Sequence, residues 1–233
     1  MTVIDFSNKK NTSMGTKVYE FLKKEIVSLQ MPPGKSISEN ETAERLQVSR
    51  TPVREAFLRL SQEDLVTVFP QKGSFVSLIN LDHLEETRFM REHLEVATAQ
   101  LACEFFTEKG FQLITANLEK QEKCNREKNY KEFYDLDDEF HSIIFRECNK
   151  TRIWSVLQTM MSINFNRMRF LSLSENLNTD ILIAQHHEIV DAIRAKDKVR
   201  VEKVVREHLN IVVIDRQELI KRYPDFFRVI TPN

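Results

Sequence analysis

Apolar residues recur at intervals of three and four along most of the chain after Leu81, without any long strand-like alternation. This period is typical of amphipathic helices that each bury one stripe of side chains. We therefore predict six or seven helices that pack as an antiparallel bundle. Their expected spans are 81–107, 110–125, 130–147, 150–172, 178–195 and 198–221, with a short tail helix near 223–227.

A different pattern occupies the first third of the chain. A short helix over 41–46 and a tight turn lead into a second helix that begins after Ser49. Two β-rich runs, 65–69 and 74–77, then enclose a turn that carries Lys72 at its tip. These elements predict a winged helix-turn-helix with a small β-wing. The expected fold class is therefore mainly α, with this winged domain followed by the helical bundle.

The start of the second helix carries the most informative residues. Ser49 is a plausible N-cap, and Pro52 lies in the first turn, where a missing N–H is tolerated. Arg50 and Arg54 lie one turn apart on one face, with Thr51 beside them. Two such arginines alone are more often solubilising surface residues. The surrounding helix-turn-helix pattern favours a helix whose amino end enters the DNA major groove.

The stretch from about Thr16 to Ser77 resembles the DNA-binding domain of the GntR family of bacterial transcription regulators. The residues that carry the resemblance are Pro33-Gly34, Ser38-Glu39, Ala43, Leu46, the run 48–56, Arg59-Leu60, Leu65-Val66 and Lys72-Gly73. The resemblance implies double-stranded DNA as a partner. It assigns DNA contacts to Ser49, Arg50, Thr51, Arg54 and Gly73. We add Arg45 and Lys72, because they belong to the same local cluster of cations.

Three positions depart from the family pattern. Asn40 stands where an arginine that contacts phosphate is usual, Gln47 replaces the turn glycine, and Asp64 replaces the glycine before the wing. Gln47 and Asp64 cost local stability if their positions require a positive φ, which only glycine adopts freely.

Length and composition agree with two domains. The chain has 233 residues and 41% hydrophobic content, enough for two cores. We expect a flexible arm over 1–15, the winged domain over 16–77, a linker over 78–80 and an all-helical domain over 81–233. Residues 1–77 contain 11 basic and 9 acidic side chains. This excess is too small to indicate nucleic-acid binding, so that inference depends on the local clustering of arginines.

The three cysteines are scattered and odd in number, and the first residues contain no apolar core typical of a signal peptide. No run approaches the length of about 18 apolar residues that a membrane helix needs. We therefore expect a cytoplasmic protein with reduced thiols and no membrane contact.

Four polar residues interrupt the apolar stripes of the predicted helices. Asp137 and His141 lie one turn apart among aromatic residues of the third helix, while His186 and His208 lie on the stripes of the last two. An ionisable group on such a face is costly unless it is paired. If the last two helices form a hairpin that turns near Asp197, then His186 and His208 are equidistant from the turn and lie level.

Three histidines and one carboxylate form a suitable site for a divalent metal ion, with Zn or Ni the best match to a nitrogen-rich set. Each histidine alone is more often an ordinary hydrogen-bonded residue, so the prediction depends on the joint pattern. His187 and Asp138 are neighbouring competitors, but both fall off the apolar stripes. His83 and His93 are expected to be solvated.

Residues 81–222 resemble the all-helical effector domain, called FCD, of the FadR-like subgroup of GntR regulators. The matching motifs are Arg91-x-x-Leu94-Glu95, Asp137-x-x-Phe140-His141, His186-x-x-Ile189, Asp191-Ala192-Ile193, Asp197 and Arg206-Glu207-His208-Leu209. The resemblance implies that Asp137, His141, His186 and His208 hold a divalent ion, and that a small carboxylate effector binds beside it. Arg91 is the first candidate to bind that anion, and Arg167, Asn166 and Arg169 are weaker candidates.

The resulting hypothesis is a transcriptional regulator, in most relatives a repressor, that binds a palindromic operator as a homodimer. An effector at the metal site would change operator affinity through the linker 78–80. One alternative is a metal-dependent helical enzyme acting on a small acid, although the apolar stripes offer no evident extra base. Another is a winged helix that docks protein instead of DNA.

Overall fold

A computed structural model describes residues 12–158 and 163–228. Its first elements are α1 (Met14–Val27), β1 (Ser36–Ile37), α2 (Glu39–Leu46), α3 (Arg50–Gln62), β2 (Val66–Phe69) and β3 (Gly73–Val76). These are followed by α4 (Leu81–Phe105), α5 (Glu108–Arg126), α6 (Tyr130–Glu147), α7 (Thr151–Val156), α8 (Ile163–Ser174), α9 (Thr179–Arg194), α10 (Lys198–Arg222) and a 3-10 turn, Pro224–Phe226. The predicted mainly helical fold with a small sheet is confirmed.

The chain divides into two compact units, one formed by Met1–Ile79 with Tyr223–Asn233 and the other by Asn80–Arg222. In the first unit, α1 packs along α3 through buried apolar residues of both helices. Its antiparallel sheet has the order β1-β3-β2. The two-residue strand β1 was not predicted, because two residues are too few to show a period.

Helix starts in the first unit follow local capping chemistry. Ser13 and Ser38 accept hydrogen bonds from the backbone of the first turn in α1 and α2. Ser49 occupies the N-cap position of α3 as predicted, but its side chain makes no capping hydrogen bond. Gln47 and Asp64 have φ of 55° and 56°, so both non-glycine departures occupy the left-handed region.

The end of the chain differs from the predicted domain boundary. Ile79 forms a parallel bridge with Phe227, donates to the carbonyl of Phe226 and accepts from the N–H of Arg228. Residues from Tyr223 onward therefore group with the winged unit instead of the helical one. The predicted tail helix is the short 3-10 turn that precedes this bridge.

The second unit contains seven α-helices in the part of the chain described, α4 to α10, which agrees with the predicted number. Helices α9 and α10 form the expected antiparallel hairpin. Helix α10 also packs along α4, and α5 packs along α6. The predicted helix over 150–172 corresponds to α7 and α8, with 159–162 outside the described residues. Most side chains of α8 are buried, polar ones included. The core of the second unit therefore contains several charged residues, among them Arg91 and Arg167.

Candidate functional site

The amino end of α3 is an exposed, cationic surface. Arg50, Thr51 and Arg54 are all exposed. The side chain of Arg50 is 67% exposed, and its contact with Glu39 is a loose 3.6 Å. The Ser49 hydroxyl is not used to cap the helix. Donors placed at the positive end of a helix dipole suit phosphates and base edges.

The wing adds a second exposed cation. Lys72 is exposed at the turn between β2 and β3, next to Gly73. Gly73 has φ of +102°, while an added Cβ would meet nothing within 4 Å, so this position needs glycine for its backbone conformation. Arg45 differs, because its guanidinium lies 3.8 Å from the Glu25 carboxylate and over an aromatic ring. Arg45 is thus partly engaged within its own unit, as Arg50 is with Glu39, although the Arg45 side chain is still 43% exposed.

Four buried side chains converge in the second unit. Asp137 and His141 come from α6, His186 from α9 and His208 from α10. Each offers one ligand atom, and these atoms all lie within 4.8 Å of one another. The His186 and His208 ring centroids are 4.7 Å apart, so the two histidines are level across the α9–α10 hairpin. The structure therefore brings together the four residues that the sequence predicted.

A chain of hydrogen bonds orients His186. Asn117 donates from its amide nitrogen to the Leu136 carbonyl, which leaves its Oδ1 to accept from Gln121 Nε2 at 2.7 Å. Gln121 Oε1 must then accept from His186 Nδ1, 2.8 Å away. This arrangement puts the proton on Nδ1 and an unshared electron pair on Nε2.

That electron pair faces another acceptor. His186 Nε2 lies 3.3 Å from Asp137 Oδ1, is fully buried and has no hydrogen-bond donor in the described residues. Burial lowers the pKa of His186 well below the ordinary histidine value, so the ring is neutral at pH 7. Two buried acceptors facing each other are unfavourable unless a cation lies between them.

His141 is oriented by a carboxylate. Its Nδ1 lies 2.7 Å from Glu95 Oε2, and Glu95 Oε1 accepts from Arg91 Nε at 2.6 Å. Burial alone would raise the pKa of Glu95, but the charges of Arg91 and His141 lower it to about 2. The ionised carboxylate can only accept, so His141 Nδ1 carries the proton and Nε2 points towards His208 Nε2, 3.3 Å away.

These separations are compatible with a metal site. A tetrahedral site with bonds of about 2.0–2.1 Å has ligand atoms about 3.4 Å apart. Two of the six separations between the candidate ligand atoms are 3.3 Å, close to this value, and all six are within 4.8 Å. Burial also lowers the pKa of His208 well below the ordinary value, so its ring is neutral and able to bind a cation. The donor set fits a borderline divalent ion.

Two arginines extend the site beyond the four candidate ligands. Arg91 is 1% exposed and its Nη1 has no hydrogen-bond partner in the described residues. Arg169 contacts the Asp137 carboxylate and lies 2.8 Å from Asp138 Oδ1. Burial lowers the pKa of Arg169 to about 10, so it remains charged at pH 7. Both cations sit against the cluster.

A cavity of about 30 Å³ lies beside the cluster. Its polar lining consists of Arg91, Asp137, His141, Arg169, Ser172 and His208, and the rest of its lining is apolar. Two sequence-predicted effector residues, Arg167 and Asn166, are not among the lining residues. Arg167 is buried in α8 but does not line the cavity, and burial lowers its pKa to about 9. Asn166 instead accepts a hydrogen bond of 3.1 Å from Arg169. The structure thus favours Arg169 over Arg167 as the α8 cation.

Sequence reasoning missed two residues that orient the histidines, Glu95 and Gln121. A signal for Gln121 was present, because it interrupts the apolar stripe formed by Phe111, Ile114 and Leu118 on α5. Glu95 follows Arg91 by one turn, the spacing of a helical ion pair.

The sequence neighbours of the cluster lie outside it, as expected. His187 is exposed and contacts Glu122 at 2.9 Å. Asp138 is directed towards Arg169 instead of the histidines. His83 and His93 are exposed on α4.

Among the described residues, no helix has the length and apolar character needed to cross a membrane.

Comparison with known proteins decides the family. Residues 15–76 match "Bacterial regulatory proteins, gntR family", and residues 86–211 match the FCD domain. The chain belongs to the GntR family. Its GntR helix-turn-helix implies DNA binding, and the family and its relatives are transcriptional regulators, not enzymes. The metal-dependent enzyme alternative is therefore wrong.

Several relatives align with this regulator over nearly their whole length. It is 29% identical to the HTH-type transcriptional repressor RspR of Escherichia coli K12, over 91% of this chain and 92% of that protein. It is 32% identical to an HTH-type transcriptional regulator in an unstable DNA locus of Streptomyces ambofaciens, over 90% of this chain and 88% of that protein.

Solved structures agree on the fold of the regulator. E. coli McbR/YncC superposes with a TM-score of 0.73 at 22% identity, covering 91% of this chain and 99% of that one. A GntR transcriptional regulator from Rhodococcus sp. RHA1 superposes with a TM-score of 0.69 at 24% identity, covering 89% of this chain and 98% of that one. At these identities the likeness concerns the fold alone.

Proposed function

We propose that this regulator is a repressor whose operator affinity is controlled by a small carboxylate bound at a divalent metal ion in the helical unit. The observation that carries the metal assignment is the unshared electron pair of His186 Nε2 directed at Asp137 Oδ1, 3.3 Å away. A cation held by both atoms removes the unfavourable contact. Asp137, His141, His186 and His208 would be the ligands, and Zn or Ni suits three nitrogens and one oxygen.

Charge balance supports an anionic effector. When the histidines act as neutral metal ligands, the remaining charged side chains at the site are two arginines, Arg91 and Arg169, and three carboxylates, Glu95, Asp137 and the half-buried Asp138. A divalent ion changes their net charge from −1 to +1. Burying that excess is costly without a partner, and an anion supplies one. The unpaired Nη1 of Arg91 is a donor available to a carboxylate.

The bound metal would supply a Lewis-acid contact for the carboxylate, while the chain's own residues position and neutralise it. Glu95 holds Arg91 through Nε, so Nη1 keeps its direction towards the ligand. Arg169 is held by two carboxylates and can shift between them and the effector. Such a rearrangement changes operator affinity only by the difference in effector affinity between the two DNA-binding states.

On the DNA side, Ser49, Arg50, Thr51, Arg54, Lys72 and Gly73 form the proposed contact surface. One recognition helix reads only a few base pairs, so we assign a homodimer on a palindromic operator. The repressor role follows the name of the E. coli relative RspR.

The first experiment is elemental analysis of gently purified protein, followed by thermal-shift measurements with small organic acids before and after chelation. About one metal ion per chain, with chelator-sensitive stabilisation by a carboxylate, is the expected result. Protein that stays metal-free after incubation with Zn and Ni would refute the metal assignment. Operator binding should weaken steeply with salt, whereas salt-independent binding would refute the phosphate contacts and favour the protein-docking alternative.

A further inference from the structure

The cavity beside the cluster has two chemically different layers. Helices α9 and α10 run antiparallel, so residues one turn from His186 and His208 also lie level. These residues are Leu182 on α9 and Val212 on α10, and both line the cavity. On α8, Leu173 likewise lies one turn beyond Arg169 and lines it too. The polar metal layer is therefore followed by an apolar layer contributed by three helices.

All cationic residues that line the cavity belong to the metal layer. Arg91 and Arg169 are there, while the next layer offers Leu173, Leu182 and Val212. A ligand carboxylate in the metal layer meets both arginines. A second carboxylate on the same ligand would enter the apolar layer without any cationic partner, which is costly in a buried site.

A buried acidic side chain, Asp215, lies behind the apolar layer. Ser172 lines the cavity and donates its hydroxyl to Asp215, which also accepts from Asn178. Asp215 is 3% exposed and forms no ion pair within the described residues. Burial raises the pKa of Asp215, in agreement with the lack of a cationic partner. A second ligand carboxylate approaching this end would meet a buried acidic group instead of a cation.

We propose that the effector is a monocarboxylate with a short apolar body, and that dicarboxylates are rejected. The carboxylate occupies the metal layer against Arg91, and the hydrocarbon occupies the layer of Leu173, Leu182 and Val212. This inference rests on the proposed metal-dependent function. The cavity volume of about 30 Å³ is far below the roughly 300–1,000 Å³ of pockets for drug-sized ligands, so the body must be short. Even a short chain pushes the α8, α9 and α10 side chains outwards.

The test compares acids of equal length in the metal-loaded, full-length protein. Calorimetry and thermal shift are run with n-butyrate and succinate, which differ by one carboxylate, and with n-valerate and glutarate as a second matched pair. We expect each monocarboxylate to bind at least about tenfold more tightly than its partner, a difference of about 1.4 kcal/mol. Equal binding, or tighter binding of succinate, would overturn the inference while leaving a metal-tethered carboxylate site in place.

Two variants locate the discrimination. Val212→Thr keeps the side-chain shape but adds a hydroxyl, so it should weaken butyrate several-fold without reducing the metal content measured by elemental analysis. Asp215→Asn removes the acidic group, so it should reduce the difference between the butyrate and succinate affinities. An unchanged difference in folded, metal-loaded Asp215→Asn would contradict the role of that carboxylate.

Failure of the underlying function has a separate signature. If wild-type protein takes up no metal and none of the four acids binds, the metal-dependent function fails and the inference fails with it. If the protein is metal-loaded but binds none of the four acids, the monocarboxylate assignment alone is overturned.

Discussion

Replacing Gln121 by leucine should weaken metal binding although Gln121 is not itself a ligand. Gln121 is fully buried, and its Oε1 accepts the proton of His186 Nδ1 at 2.8 Å. Leucine has a similar volume but cannot accept, so His186 loses the partner that fixes its tautomer and orientation. Loss of such a supporting hydrogen bond typically reduces metal affinity about 10- to 100-fold, or about 1.4–2.7 kcal/mol.

The same substitution also affects the metal-free protein. It leaves Asn117 Oδ1 without its donor, in addition to His186 Nδ1 without its acceptor. Each buried group that loses its partner costs about 1–3 kcal/mol of unfolding free energy. Metal affinity, measured by competition with a chromophoric chelator, must therefore be compared only between variants whose circular dichroism shows a folded state.

The chain provides a matched control on the same two helices. Glu122 and His187 directly follow Gln121 and His186, and they form a similar contact of 2.9 Å at the surface. Glu122→Ala should leave metal affinity unchanged, because exposed pairs contribute little. Gln121→Glu keeps an acceptor for His186 Nδ1 and should retain tight metal binding, although Asn117 Oδ1 loses its donor as it does in Gln121→Leu. Wild-type metal affinity in Gln121→Leu, or an equal loss in Glu122→Ala, would show that the Gln121–His186 hydrogen bond does not support metal binding.

Other substitutions test the remaining assignments. Arg54→Ala should cost about 1–3 kcal/mol of operator binding in a gel-shift titration if it contacts a base edge with two hydrogen bonds, and unchanged binding would remove it from the contact surface. Gln47→Gly and Asp64→Gly should each raise the unfolding free energy by about 0.5–1 kcal/mol in urea titrations, because both residues have left-handed φ; a decrease would show that their side chains matter more than their backbone. His208→Ala should abolish stoichiometric metal in elemental analysis while His187→Ala retains it, and full metal content in the former would exclude His208 as a ligand.

Sequence reasoning located the four clustered residues because each interrupts an apolar helical stripe and because the family resemblance groups them in one site. Asp137 and His141 are one turn apart on one stripe, and counting from the turn at Asp197 placed His186 level with His208. The role of Gln121 could not be predicted in the same way, because the sequence does not say which turn of α5 lies beside α9.

Helix α8 shows where the periodic signal fails. Asn166, Arg167 and Arg169 are all buried, so no exposed face distinguishes their directions. The sequence therefore ranked Arg167 with Arg169, although only Arg169 lines the cavity. The domain boundary near Tyr223 was missed for a related reason: the pairing of Ile79 with Phe227 joins residues far apart in sequence, and a single bridge leaves no pattern.

That pairing alters the mechanical description of the regulator. The helical unit is entered at Asn80 and left at Arg222, and the chain on both sides belongs to the winged unit. In chain order the helical unit is therefore an insertion in the winged unit. Two chain segments connect it to that unit, one at each end, instead of a single linker. The attached helices are α4 and α10, which carry Arg91 and His208. Truncation after Arg222 would remove one of these two attachments.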